Sequence, residues 1–213
     1  MEITYLGHSC FRLRGKQCTI ITDPFPPDLG YSLGKPTATI VSVSHEHPSH
    51  SYVQGVGGDA KVITGPGEYE ICGVMIFGIP TYHDAERGAQ RGKNTVFVFE
   101  IDEIVVAHLG DLGHPLSAEQ AARVEDADVL LVPVGGSSTI DAAQAAAIVR
   151  QVEPKIVIPM HYKTDAITRQ LDTVERFLTE MGIKEAAPQP KLNVNKNSLP
   201  LTLQVTPLAY RES

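Results

Sequence analysis

Short apolar runs alternate along this chain with clusters of turn-forming residues, and the spacing of those runs predicts its elements. Residues 3–6 read as a strand ending at Gly7, and 10–14 with 18–22 read as a hairpin turning at Gly15 and Lys16. A Pro/Gly-rich loop runs to Pro36. The run Ala38-Thr39-Ile40-Val41-Ser42-Val43 is bounded and rich in β-branched residues, which predicts a strand buried on both faces. One helical turn is expected within 51–58, then a strand over 61–64. Hairpins follow over 68–71 and 74–79 around Gly73, and over 95–101 and 104–107 around Asp102-Glu103. Ser117, with Gln120 three residues on, reads as a capping box opening a helix over 117–126. Strands at 129–134 and 155–159 bracket a helix over 141–152, whose alanines suit close packing on a sheet. An amphipathic helix over 171–181 stops at Gly182. The stretch 182–198 reads as irregular and 199–205 as a closing strand. Hairpins first and βα units later predict an α/β protein, two mixed sheets sandwiched between helices. No linker or repeat interrupts residues 1–213, so they read as a single domain.

Composition narrows the function classes. Of 213 residues, 42% are apolar and 20% charged, ordinary for a globular protein. No apolar run approaches the length that spans a bilayer. The acidic N-terminus enters a strand pattern directly, so no signal peptide is read and a cytoplasmic location is expected. A net charge of −7 argues against nucleic acid as the partner and leaves a small-molecule substrate. Three cysteines, Cys10, Cys18 and Cys72, lack metal-type spacing and read as reduced thiols. Oligomeric state is not legible.

The eight histidines say more than the charge. All sit at or near strand ends, and three fall within six residues, at His45, His47 and His50. Alternate residues of an extended segment point the same way, so His45 and His47 reach one ion, while His50, beyond Pro48, faces elsewhere. His83, Asp111 and His161 follow three other apolar strands. Neutral imidazoles with one carboxylate suit Zn²⁺ best, one ion or two, with Mn²⁺ or Fe²⁺ as alternatives. His108 and His114 flank Asp111 and are weaker candidates. The polar segment 84–93 carries Arg87, Arg91 and Lys93, and reads as a mobile loop near the site, either a substrate-contacting lid or a solvated hairpin tip.

The segments Tyr5-Leu6-Gly7-His8-Ser9-Cys10-Phe11, Thr22-Asp23-Pro24-Phe25, Gly110-Asp111, Pro133-Val134-Gly135-Gly136 and Pro159-Met160-His161-Tyr162 join the histidine pattern in resembling the metallo-β-lactamase superfamily. More closely they resemble its branch of metal-dependent hydrolases related to ascorbate-6-phosphate lactonase and N-acylphosphatidylethanolamine phospholipase D. The resemblance implies an αββα four-layer sandwich with the site at the sheet edges. It implies that His45, His47 and His83 hold a first ion, that Asp111 bridges, and that His50 and His161 hold a second. Asp111 and His50 are then the expected catalytic groups. His8, Asp23, Ser49 and Tyr162 are expected behind the ligands or against substrate.

Ser49 departs from the pattern, which carries aspartate there. A neutral hydroxyl is a poor ligand for a divalent ion. Three consequences compete: one tightly held ion, a substitute carboxylate such as Glu46 or Asp23, or lost chemistry. The leading expectation is a hydrolase that uses metal-bound hydroxide on an ester, lactone or phosphoester of a small anionic substrate. The alternative is a metal-binding or scaffold protein with weakened or lost hydrolysis.

Overall fold

Alternation within the first strands sends side chains to two different cores. In the computed structural model, which describes residues 1–210, Ile3 and Tyr5 of β1 (Glu2–Gly7) join one cluster and Leu6 the other. Phe11 and Leu13 of β2 (Cys10–Arg14), Ile20 of β3 (Thr19–Thr22) and Ile40 of β4 (Ile40–Val43) follow the first pattern. Cys10, Ile21, Val41 and Val43 follow the second, which is why these runs carry almost no polar residues. Burying each such aliphatic side chain contributes about 1.5–3 kcal/mol.

The remaining strands are β5 (Lys61–Thr64), β6 (Gly67–Ile71), β7 (Val74–Tyr82), β8 (Lys93–Ile101), β9 (Ile104–His108), β10 (Val129–Pro133), β11 (Ile156–Met160), β12 (Leu192–Asn193) and β13 (Gln204–Val205). They form two mixed sheets, ordered β12-β1-β2-β3-β4-β5 and β13-β11-β10-β9-β8-β7-β6. Helices α1 (Ala118–Ala122), α2 (Ala142–Val152) and α3 (Val174–Glu180) pack on one another, with α2 against β10 of the second sheet. The outer face of the first sheet is covered instead by the loop carrying Phe25, Leu29, Tyr31 and Leu33, with a 3-10 turn over Pro27–Leu29, and by Ile167. The sandwich is therefore the expected one, with a loop layer in place of helices on that side.

Strand direction gathers the site. In the second sheet, β7, β9, β10 and β11 run one way and β8 the other. In the first, β1, β3 and β4 share a direction that opposes β2. The C-terminal ends of these like-directed strands carry His8, Asp23, His45, His83, Asp111 and His161, the edge where open α/β sheets place ligands.

The predicted capping box forms, Ser117 with Gln120, and a second closes the start of α2, Asp141 with Gln144. Asp102 and Glu103 both take positive φ, the requirement of a tight two-residue hairpin turn. Other elements are shorter than the pattern predicts. Helix α1 gives way to tight turns, Val124 N–H to Ala121 O and Ala127 N–H to Val124 O. Helix α3 starts at Val174, because Asp172 is bonded through its N–H to Gly135 O and through its carbonyl to Lys163 N–H. Only Gln204–Val205 of the closing strand pairs with β11, and Leu201 is 98% exposed. The irregular stretch hides β12, paired antiparallel with β1. Cys10 and Cys18 are buried in different cores, Cys72 is exposed, and none is bridged. Among the described residues, no helix is long and apolar enough to cross a membrane.

Candidate metal centre

Asp111 is the centre of the cluster. Gly110 holds φ +58, and a Cβ there would meet Ser44 Cβ at 2.6 Å, so only glycine lets the turn approach this closely. Asn94 fixes the turn: its Oδ1 accepts from Asp111 N–H at 3.0 Å, and its amide donates to Thr81 Oγ1 at 2.8 Å and Leu109 O at 3.0 Å. Asp111 Oδ2 then lies 3.2 Å from His50 Nε2, 3.3 Å from both His83 Nε2 and His161 Nε2, and 3.9 Å from His45 Nε2. None of those four nitrogens has a hydrogen-bond partner, although all are buried.

Groups behind the rings aim them. Asp23 Oδ1 accepts from Ser44 N–H at 2.7 Å, and its Oδ2 accepts from Ser44 Oγ at 2.6 Å and lies 3.0 Å from His50 Nδ1. Ser44 Oγ is in turn 3.0 Å from His45 Nδ1. Each Nδ1 is thereby occupied and each Nε2 freed toward Asp111, the arrangement that fixes imidazoles as metal ligands. Asp23 thus stands behind His50 and does not replace the carboxylate missing at position 49. Glu46 is exposed at the rim.

Electrostatics follow from burial. Burial pushes the His45 imidazole down to about 3, helped by His50. It works against charge on His50 too, but Asp111 and Asp23 outweigh it and raise that ring to about 10. Burial also opposes ionisation of Asp111, yet His161 and His50 hold its carboxyl well below the usual range.

Three groups of donors have ligand atoms within 4.8 Å of one another: His45, His83 and Asp111; His45, His47 and His50; and His8, His50 and His161. Buried, unpartnered imidazole nitrogens around an ionised carboxylate fit a divalent transition ion. His47 is exposed, with Nδ1 2.8 Å from Ser49 Oγ, and keeps a ligand atom within 4.8 Å of those of His45 and His50. A cavity of about 780 Å³ opens over His45, His47, His83 and Asp111, with Arg91, Lys93 and Arg169 around it.

Several sequence expectations land elsewhere. Tyr162 is buried in the core with its ring 6.2 Å from that of Tyr5, not on the cavity. His108 Nε2 is 2.8 Å from Ser9 O, and His114 lies between Tyr82 N–H at 3.1 Å and Pro115 O at 2.7 Å, so both are structural. The 84–93 loop is a built turn: Asp84 accepts four backbone N–H groups, from Glu86 and Gly88 at 2.8 Å, Gln90 at 3.0 Å and Arg91 at 2.7 Å. Arg87 is not on the cavity wall. Gly135 does pass close to the site, since a side chain there would collide with the His161 carbonyl. Sequence reasoning missed Ser44, Asn94 and Arg169. A polar Asn94 opening an apolar strand was the available signal for one of them.

A four-imidazole, one-carboxylate cluster able to hold a metal ion, at the joined edges of two mixed sheets, is the arrangement of a metallo-β-lactamase-type fold. Residues 2–161 match the family model described as the β-lactamase superfamily domain, and the chain belongs to that family. A Methanoculleus marisnigri protein named UPF0173 metal-dependent hydrolase is 30% identical over 202 residues, covering 84% of this chain and 88% of that protein. A crystal structure from Thermotoga maritima, described as a Zn-dependent hydrolase of the metallo-β-lactamase superfamily, is 37% identical with a TM-score of 0.80, covering 98% and 99% of the two chains. The fold alone is shared with a metallo hydrolase from Ignicoccus hospitalis, at 22% identity and a TM-score of 0.64, covering 91% and 99% of the two chains.

Proposed function

We propose that the protein is a metal-dependent hydrolase acting on an ester, lactone or phosphoester bond of a small anionic substrate. The observation that carries this reading is the ring of unpartnered Nε2 atoms around Asp111 Oδ2. His45, His83 and Asp111 would hold an ion facing the cavity, with His47 at its edge, and His50 and His161 would hold a second across Asp111. Zn²⁺ suits the donors best, with Mn²⁺ or Fe²⁺ as alternatives. Such an ion supplies a Lewis acid and lowers the pKa of water toward about 7.

The protein's own groups supply the rest. Asp111 stays ionised and offers a fixed negative charge to both positions. Asp23 and Ser44 hold the His50 and His45 rings so that little reorganises during reaction. His50, in contact with two carboxylates, is held by Asp23 with its Nε2 turned to Asp111, so it is placed as a ligand. Arg91, Lys93 and Arg169 favour a negatively charged substrate.

Ser49 supports a second reading, a metal-binding protein without turnover, because its hydroxyl is engaged with His47 and donates no charge to the cluster. One assay separates the two. Chelator-stripped protein is tested on generic esters, lactones and phosphodiesters before and after restoring Zn²⁺, Mn²⁺ or Fe²⁺. Metal-dependent turnover that Asp111→Asn abolishes is expected. Loaded protein inert on all three classes would leave the second reading, and activity gained by Ser49→Asp alone would confirm that the natural chain has lost the step.

A further inference from the structure

We propose that His8 is a direct ligand of an inner ion, closing with His50, His161 and Asp111 a four-donor set sealed from the cavity. The inference rests on the metal-centre reading above and deepens it. His8 is fully buried, and neither of its ring nitrogens has a hydrogen-bond partner. Its ring centroid is 4.3 Å from that of His161 and 4.6 Å from that of His50. The candidate ligand atoms of the three lie within 4.8 Å of one another.

The backbone is arranged to hold this ring. His8 and His161 both take left-handed φ, 57° and 53°, a state uncommon for residues other than glycine. Two hydrogen bonds pin the His8 carbonyl, from Tyr5 Oη at 2.9 Å and from His161 N–H at 2.8 Å. The second stitches the loop after β1 to the loop after β11, so the two imidazoles are placed together. His108 is an internal comparison. It is equally buried, but its nitrogens meet Ser9 O at 2.8 Å and Gly110 N–H at 3.3 Å. A histidine kept only for packing is satisfied in that way, and His8 is not.

Ser49 leaves room for the role. Its hydroxyl lies 2.8 Å from His47 Nδ1, on the outer side of the cluster. The inner position thus has His50, His161 and Asp111, and His8 supplies the fourth donor. None of the three inner histidines lines the cavity, whereas His45, His83 and Asp111 do. A set of four protein donors with no open position is the pattern of a structural ion, and one open to a cavity is the pattern of a catalytic ion. The inner ion should therefore exchange slowly and the outer one readily.

The test follows metal content over time. Full-length wild type, His8→Asn and His83→Ala are loaded with Zn²⁺ or Co²⁺ and dialysed against chelator. Asparagine tolerates left-handed backbone, and far-UV circular dichroism checks the fold. Wild type should show two phases, one ion retained at least about tenfold longer than the other. His8→Asn should lose the slow phase and weaken the cobalt visible bands, and His83→Ala should lose only the fast phase. A slow phase and cobalt spectrum unchanged in His8→Asn would overturn the proposal. Should that variant unfold, X-ray absorption of the ion retained by wild type decides, with three imidazoles expected and two overturning it. Wild type that takes up no metal would bring down the metal-centre reading itself, a result distinct from a His8 variant that behaves as wild type.

Discussion

His50 Nδ1 lies 3.0 Å from Asp23 Oδ2, and that contact turns the opposite nitrogen of the same ring to within 3.2 Å of Asp111. Asp23 also takes the backbone and side chain of Ser44, so one wholly buried carboxylate aims both His50 and, through Ser44, His45. Asp23→Asn keeps the shape but removes the charge. It should lower metal affinity by about 10- to 100-fold, the usual cost of losing a group that orients a ligand. Competition against a chromophoric chelator measures this, and unchanged affinity would mean that Asp23 only closes a turn.

Gly110 makes a second prediction. Alanine there would be strained at φ +58 and would press on Ser44 Cβ at 2.6 Å, beside the peptide that carries Asp111. Gly182, at φ +71 with nothing within 4 Å, isolates the backbone contribution. Gly182→Ala should cost about 1–2 kcal/mol by thermal or urea unfolding. Gly110→Ala should cost more than Gly182→Ala and also reduce metal content. Equal losses in the two variants would show that the close approach does not matter.

Asp84 predicts a pH dependence. Burial works against its charge, but four backbone N–H donors from the 84–93 turn overcome that and hold its carboxyl at about 2. A folded-state pKa below the unfolded value stabilises the turn above the unfolded value, near about 4, and the stabilisation fades as pH falls through about 2. Wild type should therefore be more stable than Asp84→Asn at neutral pH, and the gap should close on acidification between those values. Hydrogen exchange of residues 86–91 reads it locally. A difference that persists at the acid end would contradict the assignment.

Arg169 and Arg91 border the cavity, and Arg169 is exposed, so each contributes modestly. Arg169→Ala should weaken inhibition by inorganic phosphate about fivefold, roughly 1 kcal/mol, with a smaller effect at high salt. An unchanged inhibition constant would argue that anionic ligands bind elsewhere.

Much of this architecture was legible in the chain because the signals were local. A bounded β-branched run predicts β4 and its histidine-bearing end, and the Ser117/Gln120 and Asp141 signals predict helix starts that the structure shows. What was not legible depends on partners distant in sequence. The brevity of α3 follows from Asp172 bonding across to Gly135, and β12 exists only because Leu192 and Asn193 meet Ile3 and Glu2. The same limit applied within the site. The backbone turns at once after His45, with His47 N–H donating to His45 O at 2.9 Å, so His47 is exposed while a ligand atom of its ring stays within 4.8 Å of those of His45 and His50. His8 was expected behind the ligands or against substrate, and only the fold sets it beside His161, ring centroids 4.3 Å apart, while Tyr162 turns inward to pack on Tyr5.

Anomalous scattering from crystals of protein purified without chelator would show whether the cluster around Asp111 holds metal. A peak is expected between His45, His83 and Asp111, and at saturating metal a second among His8, His50, His161 and Asp111. Crystals grown with excess Zn²⁺ that show no peak at either position would contradict the metal-centre reading.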